Sequence, residues 1–420
     1  MRRGCTILAP ESSSSLLAAR PWLSIVGIGE DGLEGLGERA RAAIAGAAVV
    51  FGGRRHLELA AAAITGEARA WPQPFDTAMQ AVLALRGQKV CVLASGDPFF
   101  FGVGVTLARH VPAAEFYAYP SPSAFSLAAA RLGWALQDIE TMSLHGRPLD
   151  LVRPLLHPGR KVLALTSDAA GPGALARLLC DEGFGASRLT VLEALGGDRE
   201  RLSGTLARDF ALTGIDPLNL VALEITAEPA ARVLPLGFGL PDELFDHDGQ
   251  ITKREIRAAT LSALSPRRGE LLWDIGAGSG SIGIEWMLAH PSLQAIAVEH
   301  HAERAARIRR NAARCGVPGL TLVEGKAPEA LKDLPRPDAI FIGGGGSGTG
   351  VMEAALSALR PGGRLVANAV TLEMEQVLLA RHARLGGSLT RLSVDRAEPV
   401  GRMTGWRPAM PVTQWIYRHQ

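Results

Sequence analysis

The sequence predicts an α/β protein made of two domains. Short apolar segments that are typical of buried strands alternate with helical segments along most of the chain, which favours mainly parallel sheets covered by helices. Several of these strands run directly into glycine-rich loops, as in α/β folds that bind ligands at a sheet edge. At 420 residues the chain is long enough for two domains, and a segment with three prolines and two glycines, 228–241, places their boundary near residue 235.

Composition and charge narrow the class of protein. A hydrophobic content of 47% is ample for buried cores, and a net charge of +2 indicates no nucleic-acid surface. Cys5, Cys91, Cys180 and Cys315 form no C-x-x-C pair, so we expect neither a disulfide framework nor a metal site. No apolar run reaches the length of a membrane span, and residues 1–20 lack the apolar segment of a signal peptide. We therefore expect a disordered extension over 1–20 and a cytoplasmic protein.

The first half begins with alternating strands and helices. Its pattern predicts strands over 22–29, 47–51, 89–94 and 115–119, with helices over 38–46, 76–86 and 103–109. A second subdomain starts near residue 120, with strands predicted over 140–144, 161–166, 189–194 and 220–225.

Four motifs of the first half occur where predicted strands end. In chain order they are V-G-I-G-E-D-G, F-G-G-R-R-H, A-S-G-D-P-F-F-F-G and P-S-P-S-A-F. Together they resemble the tetrapyrrole methylases, and most closely the branch acting on the corrin precursor precorrin-6B. The resemblance covers 22–232 and implies two α/β subdomains with S-adenosylmethionine (SAM) bound in the cleft between them.

The same resemblance implies roles for individual residues. It assigns SAM contacts to Gly96, Asp97 and Pro98 and to the pair Ser123 and Ala124. The alternative for Asp97 is a turn cap without a ligand. Gly27 and Gly29 begin a loop that lies over the active cleft in this family.

Cationic side chains flank several of these strand ends. A substrate with many carboxylates favours arginine, whose guanidinium can bind a carboxylate in a bidentate manner. We therefore take Arg54, Arg55, His145 and Arg147 as candidates for substrate binding. The alternative for each is solvated surface charge.

The second half is organised around a strand, a glycine loop and a helix. The apolar strand 271–275 runs into Gly276-Ala277-Gly278-Ser279-Gly280, and a helix is predicted from residue 281. The next strand ends in Glu299, about 20 residues on, where an acid would accept ribose hydroxyls. Counted from Gly278 the loop fits a dinucleotide fingerprint, but the strand end gives the register Asp274-x-Gly276-x-Gly278-x-Gly280.

That register resembles motif I of the class I, Rossmann-like SAM methyltransferases. The resemblance implies that the loop from Gly276 to Gly280 and Glu299 hold SAM. An NAD(P) site and a glycine turn without a ligand remain as alternatives. The class pattern continues with a helix over 302–314 and strands over 321–323, 339–342 and 364–368, and it closes with an antiparallel pair over 388–394 and 412–417.

Further candidates surround this loop. Thr252, with Glu255 three residues on, predicts a capping box that opens a helix over 253–263. The segment resembles the C-terminal methylase/decarboxylase of the same pathway step, in which the threonine also contacts SAM. Ala327 follows the strand 321–323 and could contact the adenine through its backbone. Lys253 and His247 are weak candidates for steering carboxylates or protons, and no other catalytic base is evident.

The loop 343–348 follows the strand 339–342 and lacks the Asn-Pro-Pro-aromatic motif of base-methylating enzymes, which argues against nucleic acid as a partner. The two halves together resemble the bifunctional precorrin-6B C5,15-methyltransferases (decarboxylating) of cobalamin biosynthesis. This resemblance implies one SAM site per domain, a tetrapyrrole substrate and a homo-oligomer. It also implies C5 methylation by 21–235, and C15 methylation with decarboxylation by 236–420. The alternatives are the same activities on cobalt-precorrins, an NAD(P)-dependent oxidoreductase, and a non-catalytic SAM-binding protein.

Overall fold

The computed structural model describes residues 21–72 and 78–420. The extension expected over 1–20 and the first residues of the helix expected over 76–86 lie outside the described residues. Chain contacts divide the protein into two units. The first unit consists of two segments, the chain up to Gly146 and Gly159–Glu228. The second unit consists of Arg147–Pro158 and everything from Pro229 onward. The division at 228/229 falls within the predicted linker, but the transfer of 147–158 to the second unit was not predicted.

The first unit contains a five-stranded parallel sheet in the order β3-β2-β4-β1-β5. Its strands are β1 (Leu23–Ile28), β2 (Val49–Gly52), β3 (Glu67–Ala70), β4 (Val90–Ser95) and β5 (Phe116–Tyr119). Its helices are α1 (Glu38–Ala45), α2 (Arg54–Leu59), α3 (Ala78–Leu83) and α4 (Val103–Leu107). Side chains alternate along β1, so that Ile25 packs into one apolar core and Val26 into the core on the opposite face.

The rest of the first unit contains a second five-stranded sheet in the order β6-β7-β10-β8-β9. Only β6 and β7 are parallel, and the other three pairs are antiparallel. The elements are α5 (Ala124–Leu132), β6 (Glu140–Ser143), β7 (Lys161–Leu165), α6 (Gly171–Asp181), β8 (Arg188–Glu193), β9 (Arg201–Leu206) and β10 (Asn219–Glu224). This confirms the predicted α/β class with two subdomains.

The second unit is built on a seven-stranded sheet in the order β13-β12-β11-β14-β15-β19-β16. Five strands are parallel, and β19 pairs in antiparallel fashion with both β15 and β16, so the antiparallel pair that the sequence predicted is present. The strands are β11 (Leu271–Ile275), β12 (Gln294–Glu299), β13 (Thr321–Glu324), β14 (Ala339–Ile342), β15 (Arg364–Ala369), β16 (Ser388–Leu392) and β19 (Val412–Arg418). The helices are α7 (Arg254–Leu264), α8 (Ser281–Leu288), α9 (Ala302–Arg314), α10 (Val351–Ala358) and α11 (Leu372–Leu385).

A separate hairpin lies between β16 and β19 in the chain and was not predicted. It consists of β17 (Asp395–Val400) and β18 (Met403–Pro408), paired in antiparallel register. Within the part of the chain that the structure describes, no helix combines the length and apolar content that crossing a membrane requires.

Candidate active sites

The glycine loop of the second unit is shaped by backbone constraints. Gly276, Gly278 and Gly280 have φ values of 69°, 60° and 77°, which side chains rarely allow. A Cβ atom at Gly276 would lie 2.4 Å from the carbonyl oxygen of Gly344, in the loop that follows the neighbouring strand β14. The N–H groups of Gly276 and Ala277 donate to the carbonyl of Val298 at 3.0 and 3.1 Å. Two glycine loops therefore meet closely at the carboxyl edge of the sheet.

Glu299 occupies the end of β12, as predicted, and its carboxylate is held in one orientation. It is only 3% exposed. One oxygen accepts the N–H of Gly278 at 2.9 Å, and the other accepts the N–H groups of His300 and His301 at 2.9 and 3.0 Å. Since a carboxylate can accept about four hydrogen bonds and three are already made, Glu299 keeps acceptor capacity for about one hydroxyl of a ligand.

A cavity of about 520 Å³ opens beside these loops. Its size is within the usual range for small-molecule sites, about 300–1,000 Å³. Seven of the predicted residues line it: Thr252, Lys253, Gly276, Ala277, Gly278, Glu299 and Ala327. Three others do not. The backbone carbonyl of Ser279 accepts from Asn311, Gly280 packs on Ile308, and the Nδ1 of His247 accepts the N–H of Gly249.

Two buried polar atoms near the loop lack a partner among the described residues. They are Oδ1 of Asp274 and Oγ of Ser279. The other carboxylate oxygen of Asp274 accepts the N–H of Gly283 at 3.0 Å. Burial raises the pKa of Asp274 to about 7, with the Gly283 N–H opposing the rise and Glu299 adding to it. Neither Asp274 nor Ser279 lines the cavity; it is the acceptor capacity left on Glu299, at the cavity wall, that fits a ligand bringing a hydroxyl donor, as SAM does.

The capping box predicted at Thr252 is wrong. The cap residue of α7 is Lys253, and no side chain bonds to the first turn of the helix. The Thr252 carbonyl instead accepts from the guanidinium of Arg257. That guanidinium is fully buried and also bonds to the carboxylates of Asp242 and Glu285. The Arg257 charge has no access to water, so it needs hydrogen-bond acceptors within the protein, and the Thr252 carbonyl is one of them. This bond holds Thr252 at the wall of the cavity.

Glu285 extends this anchor to the segment before α7. Its carboxylate accepts the N–H groups of Gly239 and Leu240 at 2.7 and 3.0 Å. Burial raises the pKa of Glu285, while Arg257 and the two backbone donors oppose the rise. The segment that leads to Thr252 is therefore fixed to the core of the second unit.

Sequence reasoning missed one polar side chain that lines the cavity. Asn368, near the end of β15, lines the cavity and is almost fully buried. Its amide donates to Thr260 at 2.9 Å and accepts from Gln414 at 2.9 Å. A polar residue near the end of an apolar strand is the pattern that identified Glu299, and the same pattern could have identified Asn368. Arg396 of the unpredicted hairpin also lines the cavity and pairs with Glu255 at 2.5 Å.

Among the described residues, one cluster of side chains has the residue types of a possible metal site. Atoms of Glu299, His300 and His301 lie within 4.8 Å of one another. Both imidazoles are exposed, and their rings are tilted by 41° with centroids 3.8 Å apart. Because the Glu299 carboxylate already accepts three backbone N–H groups, we interpret this group as part of the ligand cradle.

In the first unit, the structure brings the two predicted SAM loops together. Gly96 follows β4 with a φ of 53°, and its carbonyl accepts the N–H of Ser121 at 3.2 Å. A Cβ atom at Gly27 would lie 1.7 Å from the Gly96 oxygen, and one at Gly96 would lie 2.8 Å from the Pro122 oxygen. The ends of β1 and β4 and the start of α5 therefore converge at one sheet edge, where ligands of open α/β folds bind.

Side chains in these loops are partly engaged within the protein. Asp97 accepts the N–H of Phe99 at 2.8 Å, which is the turn cap that was the alternative to a SAM contact. Ser123 is the N-cap of α5 and accepts the N–H of Ser126 at 3.1 Å, while Ala124 is the first residue of that helix. Next to Asp97 and Pro98, Phe99, Phe100 and Phe101 are all exposed.

The cations proposed for substrate binding lie in different surroundings. Arg54 is exposed at the start of α2, whereas Arg55 pairs with Glu30 and donates to Ser95 at 3.0 Å. His145 is exposed in the first unit. Arg147 is exposed too and belongs to the second unit.

Comparisons with known proteins match both units. A family described as Tetrapyrrole (Corrin/Porphyrin) Methylases matches residues 23–210. A family described as Precorrin methyltransferase domain matches residues 243–419.

Curated relatives span nearly the whole chain. A Precorrin-6Y C(5,15)-methyltransferase [decarboxylating] from Sinorhizobium sp is 65% identical over 98% of this chain and 99% of its own length. A protein of the same name from Mycobacterium tuberculosis is 43% identical over 93% of this chain and 98% of its own. A Cobalt-precorrin-6B C(15)-methyltransferase (decarboxylating) from Salmonella typhimurium is 34% identical over 41% of this chain and 92% of its own. With two matched methylase domains and full-length relatives, the chain belongs to the precorrin-6Y C(5,15)-methyltransferase (decarboxylating) family of SAM-dependent C-methyltransferases.

Proposed function

We propose that this chain methylates C5 and C15 of precorrin-6B and removes the carboxyl group of its ring C acetate, giving precorrin-8X in cobalamin biosynthesis. The full-length relatives are named for precorrin-6Y, with the same two carbons and a decarboxylation. Two SAM molecules are converted to two S-adenosylhomocysteine molecules, and one carbon dioxide is released.

The two methylations are assigned to different parts of the chain. Residues 21–235 methylate C5, and residues 236–420 methylate C15 and decarboxylate. The Salmonella relative supports a division of the two methylations, because its name gives only C15 and 92% of its own length matches 41% of this chain. The observation that carries the proposal is that each unit brings its predicted SAM loops together at the carboxyl edge of a parallel sheet.

SAM supplies a methyl group on a positively charged sulfur that is a good leaving group. In the second unit, Glu299 would accept a hydrogen bond from the ribose, and Gly276 and Gly278, which carry no side chains, would let the backbone approach the ligand. Thr252 and Ala327 form further walls of that cavity. In the first unit, the exposed rings of Phe99, Phe100 and Phe101 offer an apolar surface to a flat macrocycle. Alignment of the reacting atoms can then account for much of the rate, since effective molarities of oriented groups are large.

The experiment uses the full chain and two single variants. A Cβ at Gly96 meets the Pro122 oxygen, so Gly96→Ala should disturb the first SAM site, while Glu299→Gln should weaken the second. We expect Gly96→Ala to yield product methylated at C15 without the carboxyl group, and Glu299→Gln to yield product methylated at C5 alone. Gly37→Ala is the control, because a Cβ there meets nothing within 4 Å. Loss of both methylations in both variants would contradict one site per unit.

A cobalt-containing substrate is the alternative, and it is not favoured because the full-length relatives are named for precorrin-6Y. The Salmonella protein is named for a cobalt-precorrin. Supplying metal-free and cobalt-containing substrate with SAM, and following product mass, separates the two. Turnover of the cobalt form alone would contradict the metal-free assignment.

We also propose a cytoplasmic homo-oligomer. Cys91, Cys180 and Cys315 are free thiols, which supports a reducing compartment. Oligomerisation rests on analogy with methylases of both kinds. Light scattering of the purified chain measures the subunit number, and a monomeric mass would contradict this part of the proposal.

A further inference from the structure

A serine and a histidine of the first unit form a pair beside the Gly96 loop. Ser95 is the last residue of β4, is exposed, and directly precedes Gly96-Asp97-Pro98. Its Oγ lies 2.8 Å from Nε2 of His56, a residue of α2. Neither residue was a candidate from the sequence, and neither has a part in the SAM contacts described above.

The arginine beside this pair fixes its hydrogen-bond directions. Nη2 of Arg55 lies 3.0 Å from Ser95 Oγ and 3.0 Å from His56 Nε2. A guanidinium only donates, so Nε2 of His56 is an acceptor and its hydrogen is on Nδ1. The Ser95 hydroxyl accepts from Arg55 and can direct its own hydrogen to the single lone pair of Nε2, which it then shares with the Arg55 N–H. Burial, and then Arg55, lower the pKa of His56 to about 4, so the ring is neutral near pH 7.

Charges around the pair are balanced by a wider network. Arg55 is paired with Glu30, which also lies 3.7 Å from Arg199. Arg199 in turn pairs with Asp216 at 2.5 Å. The buried Nδ1 of His56 has no hydrogen-bond partner among the described residues. A purely structural imidazole would be expected to have both nitrogens satisfied, because an unpaired buried N–H costs free energy.

The chemistry proposed for the first unit requires a proton acceptor. Methyl transfer to C5 forms a carbon–carbon bond and breaks the bond from methyl to sulfur, whose electron pair stays on sulfur. C5 is a bridging carbon that bears one hydrogen, so the C5–H bond must break next. Its electron pair returns to the conjugated ring and its proton must leave. The methylated ring is electron-poor before this step, which makes the proton acidic and a weak base sufficient.

We propose that Ser95 and His56 form the proton relay of C5 methylation. Ser95 Oγ takes the proton from C5 while its own hydrogen passes to Nε2 of His56. The imidazolium then lies against Arg55, whose like charge favours return of the proton through the exposed Ser95 to solvent. This inference rests on the proposed function of the first unit and adds the residue that touches the substrate, Ser95, and the residue that acts through it, His56.

The test compares the full wild-type chain with Ser95→Ala and His56→Gln. Each is supplied with SAM and with tetrapyrrole substrate carrying hydrogen or deuterium at C5. We expect both variants to lose roughly 10²- to 10⁴-fold in the rate of C5 methylation, the usual contribution of a positioned base. We also expect a primary deuterium isotope effect larger than that of wild type, since loss of the proton becomes slower. A residue that only supports the fold would not change this isotope effect.

SAM binding and the reactions assigned to the second unit serve as internal controls. SAM affinity, C15 methylation and carbon dioxide release should stay within about twofold of wild type, which shows that the variants are folded. His110→Gln, an exposed histidine elsewhere in the first unit, should leave both rate and isotope effect unchanged. The relay is refuted if Ser95→Ala methylates C5 at the wild-type rate, or if both variants slow without a change in isotope effect. If wild type itself adds no methyl group at C5, the proposed function fails and the relay fails with it.

Discussion

Replacing Glu299 by glutamine tests the cradle of the second unit. The carboxylate accepts three backbone N–H groups, from Gly278, His300 and His301, and this leaves it oriented toward the cavity. In glutamine the amide oxygen can still accept the backbone N–H groups on one side of the side chain. The amide NH₂ then faces a backbone N–H instead of accepting from it, and the negative charge that strengthens the bonds to ribose is lost.

The size of the effect follows from these bonds. Hydrogen bonds to a charged group contribute about 1.5–3 kcal/mol, so we expect SAM to bind the second unit roughly 10- to 150-fold more weakly in Glu299→Gln. Because the side chain is buried, some loss of thermal stability should accompany it.

Titration calorimetry on the full chain measures this directly. Wild type should bind two SAM molecules per chain, and Glu299→Gln should keep one site of unchanged affinity and weaken the other. Glu303→Gln is the matched control, since Glu303 is exposed on the first turn of α9. Unchanged affinity at both sites in Glu299→Gln would refute the ribose role, and equal weakening of both would refute the assignment of one site to each unit.

Three further substitutions test the supports of the second unit. Gly276→Ala places a Cβ 2.4 Å from a backbone oxygen at a positive φ, so thermal unfolding should show a loss of at least about 1–2 kcal/mol that Gly319→Ala, with open space around it, does not show. Because the folded-state pKa of Asp274 is raised to about 7, stability should fall by a few kcal/mol as pH rises from about 4 to 7, and Asp274→Asn should flatten this slope in denaturant titrations. Arg257→Met leaves the buried carboxylate of Glu285 without its cation and should cost about 3–5 kcal/mol in urea unfolding; a neutral result would show that the backbone donors suffice.

The sequence predicted best where a local rule decides the structure. The helix predicted over 302–314 matches α9 residue for residue, because its apolar spacing and its flanking strands leave one option. Glu299 was found for a similar reason, since an acid at the end of the second strand has a fixed place relative to the glycine loop. Both depend on neighbours that are close in the chain.

The missed features depend on distant partners. Arg257 has the pattern of an exposed helical charge, and its complete burial is explained by two carboxylates outside the helix, Asp242, 15 residues earlier, and Glu285, 28 residues later. The hairpin β17–β18 contains Pro399, Pro408 and alternating charges, which are depleted in strands, so its sequence does not indicate one. Thr252 matched a capping box, but the competing bond from Arg257 to its carbonyl moved the helix start by one residue.

The two proposed reactions differ in their proton balance, and this difference bears on where a base is needed. Methylation of C15 releases one proton, whereas loss of carbon dioxide from an acetate leaves a carbanion that takes one proton to become a methyl group. The second unit can therefore balance its own proton within one cavity, whose polar wall is formed by Asn368 and by the ion pair of Arg396 with Glu255. Methylation of C5 has no such compensation and releases a net proton. A hydroxyl and a neutral imidazole beside the first SAM loop supply the acceptor that this imbalance requires.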